Sequence, residues 1–497
     1  MRKGRTDGAS DSLRPAKRLL GWSAPAFPRP DHLHVGQHLG HPAGRHARCW
    51  AGAQCAPGDA VRSPVSDARD HRDGAHLRSQ RGFEHPSGTA LDRRAHCHGR
   101  FRRRRGQLRS VLRIAVRRDQ DRPAFHYQYR RYQKMLEVNF LKNTEPFIQR
   151  IKRDGFKNII TFGIGGSYEG PKLLQEFTNH KASKFNYYFV SGPDRDEFNS
   201  ILNLLSGQKN LYIFSSKSLS TDETLSCLKW LGNDRNSNNS LVITANSKKA
   251  KTLGFSEDCI VPFPETVGGR YSIWSPISLS AALENNFSLF LKGGFSADKM
   301  MIGNTKEDRQ YQKFIKTLVF SDLWFSNFRN KKNRVVLSYN WKLRSLANYI
   351  QQLEMESLGK QPHPRSIFKQ TGQSVFGGFG STAQHSYFQL LHQGTAEFCT
   401  DIIYSDSSNS PLSSAQAKGQ ASLLSSNFKG SSNSLEQTNS NSPVNLFQLN
   451  KLSLEGLGFL LATWEHRVFV TACMLQINPF DQYGVAAGKL IAKKFLS

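Results

Sequence analysis

Short apolar segments that each end in a polar loop alternate with helical segments over residues 156–245, and this alternation constrains the fold more than any other feature. The expected strands are NIITFGI (158–164), FNYYFVSG (185–192), NLYIFSSKS (210–218) and SLVITA (240–245). Strands that alternate with helices typically form a parallel sheet covered by helices on both faces. The pattern therefore predicts a doubly wound α/β domain, in which ligands bind at the carboxyl ends of the strands.

A similar layout follows in the second half of the chain. RVVLSYN (334–340) and AEFCTDIIYS (396–405) are expected strands, and an amphipathic helix is expected over 343–359. A long, mostly buried helix is predicted at 454–475 and a short terminal helix at 485–496. The chain is thus expected to contain two α/β domains with parallel sheets.

The segment between Ser405 and Val444 is rich in serine and asparagine, as in SDSSNSPLSSAQ and KGSSNSLEQTNSNSP. Such composition is typical of exposed connections that cannot bury an apolar face. We expect a mobile connection here, with at most one weak helix.

The first 125 residues differ in composition from the rest of the chain. They contain 24 Arg but only two Lys and one Ile, and 26 basic against 11 acidic residues give +15 of the formal net charge of +29. They show no sustained helical or alternating apolar period. Two interpretations stay open: a disordered or spurious segment read from an arbitrary frame, or a basic disordered arm for nucleic acid centred on RFRRRRGQLR (100–109).

The remaining charge does not indicate a nucleic-acid partner. Beyond residue 125 the chain carries 42 basic and 28 acidic residues, a balance of +14, and it contains no recognisable nucleic-acid module. No stretch approaches the roughly eighteen apolar residues that a membrane-spanning helix needs. We therefore expect neither a specific nucleic-acid partner nor a membrane.

The seven cysteines form no CxxC pair and no set with histidine at zinc-ligand spacing. A structural metal is therefore not expected. Scattered single cysteines and the lack of an apolar secretory segment at the N-terminus favour a cytoplasmic location.

Two loops at predicted strand ends have the composition of an anion site. SSKSLSTDET (215–224) offers hydroxyls and backbone N–H groups just before a helix, and GIGGS (163–167) is a second such turn. The alternative for the first loop is a helix cap in which Glu223 is the capping partner. The second loop lacks G-x-G-x-x-G spacing because Tyr168 occupies the third glycine position, so a dinucleotide site is disfavoured. We expect the two loops to converge on one phosphate.

The stretch GGRYSIWSPISL (268–279) places an arginine directly after two glycines. Gly268 and Gly269 allow a sharp turn and a close approach of backbone to ligand, and Arg270 supplies a fork of donors suited to oxyanions. The alternative is a tight turn that only precedes a helix.

Other polar residues are spaced so that they share a helix face. Gln352 and Glu356 are four residues apart in QQLEMESLGK, His385 and His392 are seven apart, and Gln482 and Lys489 are also seven apart. Each has an ordinary structural alternative: a solvated acid, a hydrogen-bonded core histidine, or a solvated terminal lysine.

Six stretches occur in an order that resembles the glucose-6-phosphate isomerase (phosphoglucose isomerase) family, over roughly residues 135–497. They are GIGGSYEGP, SKSLSTDET, GGRYSIWSPIS, QQLEMESLGK, GSTAQHSYFQLLHQG and NPFDQYGVAAGK. The resemblance implies two three-layer αβα sugar-isomerase (SIS) domains, at 126–290 and 291–475, and a C-terminal loop and helix at 476–497. It also implies a homodimer whose active site is completed across the interface.

The resemblance further implies the reversible isomerisation of glucose 6-phosphate to fructose 6-phosphate, in glycolysis and gluconeogenesis, without cofactor. Glu356 matches the carboxylate that moves a proton between C2 and C1, and Arg270 the group that stabilises the cis-enediol(ate). His385 and Lys489 match the acid–base pair that opens the sugar ring. The residues matched to phosphate and sugar binding are Gly166, Ser167, Ser216, Lys217, Ser218, Thr221, Gln352 and Gln482.

The chain departs from the family pattern at four places near these motifs. Glu169 and Leu358 replace a leucine and an asparagine, Ser278 replaces a glycine, and Phe376-Gly377-Gly378-Phe379-Gly380 replaces WGEPG before His385. The last change removes a carboxylate and a proline.

Three other classes of function are compatible with parts of the sequence: a non-catalytic sugar-phosphate-binding protein, a nucleic-acid-binding protein, and an inactive product of a chimeric reading frame. A binding protein would need the Ser/Thr-rich loop but not Glu356 and Arg270 together with His385 and Lys489. The joint presence of these residues favours the enzyme.

Overall fold

The computed structural model describes residues 37–38, 140, 143–178, 183–406, 410–426, 434–439 and 442–495. Within the segment 1–125 it describes only Gln37–His38, which form a two-residue strand, β1. The interpretations of that segment otherwise concern residues outside the described part of the chain.

The first sheet confirms the predicted strands of the N-terminal half. It contains five parallel strands in the order β3-β2-β4-β5-β6. They are β2 (Asn158–Phe162), β3 (Asn186–Val190), β4 (Asn210–Ser215), β5 (Ser240–Thr244) and β6 (Ile260–Pro262). All residues of β2, β4 and β5 are buried, which is why these strands are continuous apolar runs rather than alternating ones.

The helices associated with the N-terminal half begin with a segment over 143–154, α1. The others are α2 (Glu169–Thr178), α3 (Arg195–Leu204), α4 (Asp222–Leu231), α5 (Ser247–Thr252) and α6 (Leu279–Ala282). Helix α4 confirms the helix expected just after the loop SSKSLSTDET.

The second sheet has the strand order β1-β10-β9-β7-β8. Its strands are β7 (Asn333–Ser338), β8 (Ser374–Phe379), β9 (Phe398–Tyr404) and β10 (Val444–Gln448), all parallel, with β1 antiparallel at the edge. The sequence analysis predicted β7 and β9 and missed β8 and β10. Two mainly parallel sheets in a chain otherwise rich in helices confirm the α/β fold class.

The helices of the C-terminal half are numbered onward from α6 in chain order. They are α7 (Phe287–Ile302), α8 (Lys306–Phe328), α9 (Leu346–Leu358), α10 (Gly380–Gln384), α11 (Phe388–Gln393), α12 (Pro411–Ser425), α13 (Leu454–Leu475) and α14 (Tyr483–Lys493). The buried helix at 454–475 is confirmed. The expected domain boundary at 290/291 falls inside α7, and the domain limits stay a prediction.

The connection between Ser405 and Val444 contains the one helix that the sequence analysis allowed, but its expected exposure is wrong for residues 410–426. Helix α12 begins at Pro411, and the side chain of Ser410 accepts a hydrogen bond from the backbone N–H of Ser413 (3.3 Å). Ala417, Ala421 and Leu424 are almost fully buried in a core that also contains residues of β7, β9 and β10. Their spacing of four and three residues forms one helix face, but small side chains gave it little apolar signal.

A buried network of charges ties α8, α9, α13 and two strands together. Arg334 on β7 contacts Asp322 (2.6 Å), Glu354 (3.2 Å) and Asp401 (2.8 Å), and Arg467 on α13 contacts Asp401 (2.9 Å) and Asp322 (2.7 Å). Although burial opposes it, Arg467 and Arg334 hold the pKa of the Asp401 carboxyl below its usual value. The network anchors α9 from the face that carries Glu354.

None of the helices in the described part of the chain is both long enough and apolar enough to cross a membrane.

Candidate active site

The turn GIGGS follows β2 and packs against the arginine-bearing stretch. Gly165–Ser167 form a 3-10 turn between β2 and α2. A Cβ added to Gly166 would lie 1.8 Å from the carbonyl oxygen of Gly269, and the Ser272 hydroxyl donates to the Gly166 carbonyl (3.2 Å). This close approach of two backbone segments requires glycine at position 166.

The same turn also lies against helix α9. Gly165 has a φ of +58°, and a Cβ there would lie 2.9 Å from Nε2 of Gln352. Glycine at this position thus satisfies both the left-handed backbone and the close contact. The end of β2 therefore lies beside the helix that carries Gln352.

The two glycines before Arg270 differ from the expectation. Gly268 has an ordinary φ of −78°, and Gly269 begins the 3-10 segment Gly269–Trp274 without a positive φ. A sharp left-handed turn is therefore not the reason for these glycines. Since nothing lies within 4 Å of a Cβ added to Gly269, this position borders open space.

Arg270 is almost fully buried, with its side chain 3% exposed. A guanidinium has five N–H donors, and all five have an acceptor. The acceptors are Ser357 Oγ for Nε (2.8 Å), Glu356 Oε2 (3.1 Å) and Gln482 Oε1 (3.2 Å) for NH1, and the carbonyls of Pro479 (2.5 Å) and Asp481 (2.8 Å) for NH2. Arg270 thus joins α9 to the loop that precedes α14.

Glu356 and Gln352 share a face of α9, as their spacing predicted. Gln352 Nε2 lies 3.4 Å from Glu356 Oε2, the same oxygen that Arg270 contacts. The Glu356 side chain remains 24% exposed. The alternative of a fully solvated acid is therefore wrong, and the structure brings Arg270, Glu356, Gln352 and Gln482 together.

The Ser/Thr-rich loop after β4 is organised by its own hydroxyls. Ser216 Oγ lies 3.1 Å from Thr221 Oγ1 and accepts from the backbone N–H of Leu219 (3.2 Å), which has a positive φ of 50°. The Thr221 side chain makes no capping hydrogen bond to α4, so the interpretation of the loop as a simple capping box is wrong.

Lys217 and Ser218 in this loop are exposed, and Ser218 Oγ lies 2.6 Å from Ser220 Oγ. Because β2 and β4 are neighbouring parallel strands, this loop and GIGGS leave the same edge of the sheet. The arrangement is compatible with the predicted common anion site.

His385 and Lys489 lie outside the Arg270 cluster. Lys489 Nζ on α14 is 3.7 Å from Oε2 of Glu223 in the first turn of α4. His385 is exposed after the end of α10, and no described side-chain contact links it to the cluster. Gln482 and Lys489, predicted to act from one helix face, therefore meet different partners.

The expectation that His385 and His392 share a helix face is wrong. Helix α10 ends at Gln384 and α11 begins at Phe388, so the chain turns between the two histidines. His392 lies 2.8 Å from Gln420, and burial lowers its pKa. These observations support the structural alternative for His392.

Sequence reasoning missed several residues that hold the cluster. The Tyr271 hydroxyl lies 2.8 Å from Ser357 Oγ, and Lys360 Nζ donates to the carbonyls of Glu356 and Asp481 (2.8 Å for the latter). Ser357 and Lys360 lie within QQLEMESLGK, next to Glu356. Their side chains could not be assigned partners because those partners come from distant segments.

The structure shows where three of the departures from the family pattern lie. FGGFG lies on β8 and at the start of α10, and a Cβ on Gly377 would lie 1.8 Å from the Val336 carbonyl, so strand pairing requires glycine there. Ser278 is fully buried and donates to the Ile273 carbonyl (2.6 Å), and Leu358 is buried at the end of α9.

In the part of the chain that the structure describes, no group of three or more His, Cys, Asp or Glu side chains is placed to hold a metal ion.

Comparisons with known proteins identify the family of this chain. A family model described as phosphoglucose isomerase matches residues 104–497. The glucose-6-phosphate isomerases of Shewanella denitrificans and Wigglesworthia glossinidia brevipalpis are 33% and 31% identical over 379 and 376 residues, covering 68% of this chain and 69% and 68% of theirs. The family match begins at residue 104, so the similarity extends further towards the N-terminus than residue 135.

A solved structure supports the fold. The crystal structure of a glucose-6-phosphate isomerase from Chlamydia trachomatis superimposes with a TM-score of 0.64 at 24% identity, covering 72% of this chain and 73% of that one.

Proposed function

Since the chain belongs to the phosphoglucose isomerase family, we propose that it interconverts glucose 6-phosphate and fructose 6-phosphate. The observation that carries the proposal is the contact of the Arg270 guanidinium with the Glu356 carboxylate (3.1 Å), beside Gln352 and Gln482. A carboxylate next to a buried permanent cation is suited to move a proton at a carbon whose neighbouring oxygen becomes negative.

In the proposed reaction Glu356 removes the proton from C2 of the open-chain aldose phosphate and delivers it to C1, while the hydroxyl proton of O2 passes to O1. The intermediate is a cis-enediol(ate), and a positioned base of this kind contributes about 10²–10⁴-fold to the rate. The two donors of Arg270 NH1 face Glu356 and Gln482, whereas Nε and NH2 are held by Ser357 and two backbone carbonyls. NH1 is therefore the end that turns to the enediolate oxygen.

We assign phosphate binding to the Ser/Thr-rich loop and the GIGGS turn. Ser216, Lys217, Ser218 and Thr221 supply hydroxyls and a cation at the start of α4, and the turn with Gly166 and Ser167 lies beyond the neighbouring strand. A helix N-terminus with free N–H groups favours a bound dianion. The proximity of Lys489 to Glu223 supports a substrate that spans from this loop to α14.

Ring opening is assigned to His385 and Lys489. The exposure of His385 supports a homodimer in which it enters the partner's site. Among the described residues, Cys227, Cys259 and Cys399 are thiols outside any disulfide, which supports a reducing cytoplasm, where glycolysis and gluconeogenesis take place.

The test is isomerase activity of the full chain on fructose 6-phosphate, read through a coupled glucose-6-phosphate dehydrogenase. We expect activity in the wild type and its loss in Glu356→Gln. Glu257→Gln is the matched control, because the Glu257 side chain is 85% exposed and pairs only with Lys251 among the described contacts. If the folded wild-type chain is inactive but still binds the sugar phosphate, the protein is a non-catalytic binding protein and the proposed function is wrong.

A further inference from the structure

Helix α13 carries three titratable residues in a row, and each has a separate set of partners. Arg467 belongs to the buried charge network with Asp322 and Asp401. His466 lies 2.8 Å from Asp298 on α7 and 2.8 Å from the hydroxyl of Tyr311 on α8. Glu465 contacts Trp274 and Tyr349 instead.

The Glu465 carboxyl accepts hydrogen bonds from two neutral side chains. Trp274 Nε1 lies 3.0 Å and 3.1 Å from its two oxygens, and the Tyr349 hydroxyl lies 3.3 Å from Oε1. In the described part of the chain no Lys or Arg forms an ion pair with it. Glu465 is partly buried, and a carboxyl removed from water without a cation beside it is uncommon, so its role needs an explanation.

Both donors belong to the elements that carry the proposed chemistry. Trp274 is the last residue of the segment Gly269–Trp274, which also holds Arg270. Tyr349 lies on α9, seven residues and therefore about two turns before Glu356. One carboxyl group thus contacts the arginine-bearing segment on one side and the glutamate-bearing helix on the other.

We propose that Glu465 is a positioning residue that, through Trp274 and Tyr349, holds the Arg270 segment and helix α9 at the separation that brings the guanidinium and the Glu356 carboxylate together. The inference rests on the proposed function and adds a residue to it. Glu465 acts only through its two partners.

The surroundings of Glu465 keep its carboxyl protonated at neutral pH. Burial raises its pKa to about 8, and Asp298 on α7 adds to the rise. The groups that face it from the other elements, Tyr271 and Tyr349, are neutral phenols whose own pKa values are raised by burial. Above about pH 8 the Glu465 carboxyl becomes a carboxylate, for which the described residues supply no Lys or Arg partner. The hydrogen bonds from Trp274 and Tyr349 are then made to an anion instead of a neutral acid.

The test compares Glu465→Gln and Glu465→Leu in the full chain, with kcat and KM for fructose 6-phosphate measured between about pH 6 and 9. Glutamine has the shape and hydrogen-bonding groups of the protonated acid, whereas leucine removes the acceptor. We expect Glu465→Leu to lower kcat about tenfold or more with KM changed less than threefold. Glu465→Gln should retain wild-type kcat at neutral pH. Wild-type kcat should change as Glu465 ionises near pH 8, and Glu465→Gln should lack that change.

Glu455→Gln is the matched control, since Glu455 is a partly buried acid on the same helix and pairs with the exposed Lys292. Tyr349→Phe removes one of the hydrogen bonds to Glu465 and serves as the test if Glu465→Leu does not fold. We expect kcat of Tyr349→Phe to fall several-fold. Wild-type kcat in a folded Glu465→Leu or in Tyr349→Phe overturns the inference, as does a Glu465→Gln variant that loses as much kcat as Glu465→Leu. An inactive wild-type chain instead overturns the proposed function.

Discussion

Arg270 and Glu356 are 86 residues apart in the chain, yet Arg270 NH1 lies 3.1 Å from Glu356 Oε2. Arg270 follows the first sheet in sequence, and Glu356 lies on α9, between two strands of the second sheet. The contact also depends on the loop before α14, whose carbonyls hold the other side of the guanidinium. The cluster therefore forms only when three separate parts of the chain are in place.

Arg270→Lys is expected to impair both activity and folding, because an ammonium has three donors and cannot replace the five of the guanidinium. The carbonyls of Pro479 and Asp481 would lose charge-assisted partners. We expect kcat/KM to fall by about 10²-fold or more and the thermal midpoint to drop. Arg153→Lys is the control, since the Arg153 side chain is 75% exposed. Near-wild-type kinetics for Arg270→Lys would contradict the assigned role.

Gly166→Ala and Gly269→Ala should separate close packing from open space. A Cβ at 166 would lie 1.8 Å from a backbone oxygen, whereas one at 269 meets nothing within 4 Å. Thermal unfolding should therefore show a large loss of stability for Gly166→Ala, of the order of 1–3 kcal/mol or more, and little change for Gly269→Ala. Equal stability of the two variants would show that the turns do not pack as described.

Asp401→Asn is expected to destabilise the fold strongly. Asp401 is fully buried between Arg334 and Arg467, and removal of one member of a buried ion network typically costs about 3–5 kcal/mol. Asp406→Asn is the matched control, because its pair with Lys418 is about half exposed and such pairs contribute about 0–1 kcal/mol. Denaturant unfolding measures both. A loss below about 1 kcal/mol for Asp401→Asn would count against the network.

Glu465→Gln should change how stability depends on pH. The pKa of Glu465 is raised from 4.5 to about 8 in the folded chain, so between these values the folded state binds a proton that the unfolded state has released. Stability of the wild type therefore falls as pH rises through this window. Relative to Glu465→Gln, which cannot titrate, the wild type should lose stability from about pH 4.5 to 8 in thermal unfolding. A constant difference over that range would contradict the raised pKa.

Mixed dimers of Glu356→Gln and His385→Ala subunits test the proposed sharing of the active site. If His385 completes the partner's site, each mixed dimer contains one site with both residues intact. Random mixing should then restore about a quarter of wild-type activity from two inactive parents. Activity that stays at the level of the parents would place both residues in the site of one subunit.

The strands and helices predicted correctly are those whose own sequence carries a strong signal. Ile159, Ile160 and Phe162 in β2 are completely buried, so a continuous apolar run identified the strand. Helix α13 was predicted for the same reason, since it is long and apolar almost throughout.

The elements that were missed depend on their neighbours. Strand β8 contains two adjacent glycines, and β7 passes so close to position 377 that only glycine fits there. Helix α12 buries small side chains, Ala417 and Ala421 among them, which resemble the residues of an exposed connection until a sheet covers them. Such burial is decided by the packing of distant segments and has little periodic signal.

By itself the sequence determined the order of the α/β elements and the chemical types available at the site, namely Arg270, Glu356 and the hydroxyls after β4. The tertiary structure decided which of these groups meet. Arg270 is held by backbone carbonyls and by Ser357, while Glu465 contacts the segments of Arg270 and Glu356 through Trp274 and Tyr349. Hydrogen bonds act over about 3 Å, and only folding brings residues that are far apart in the chain within that distance.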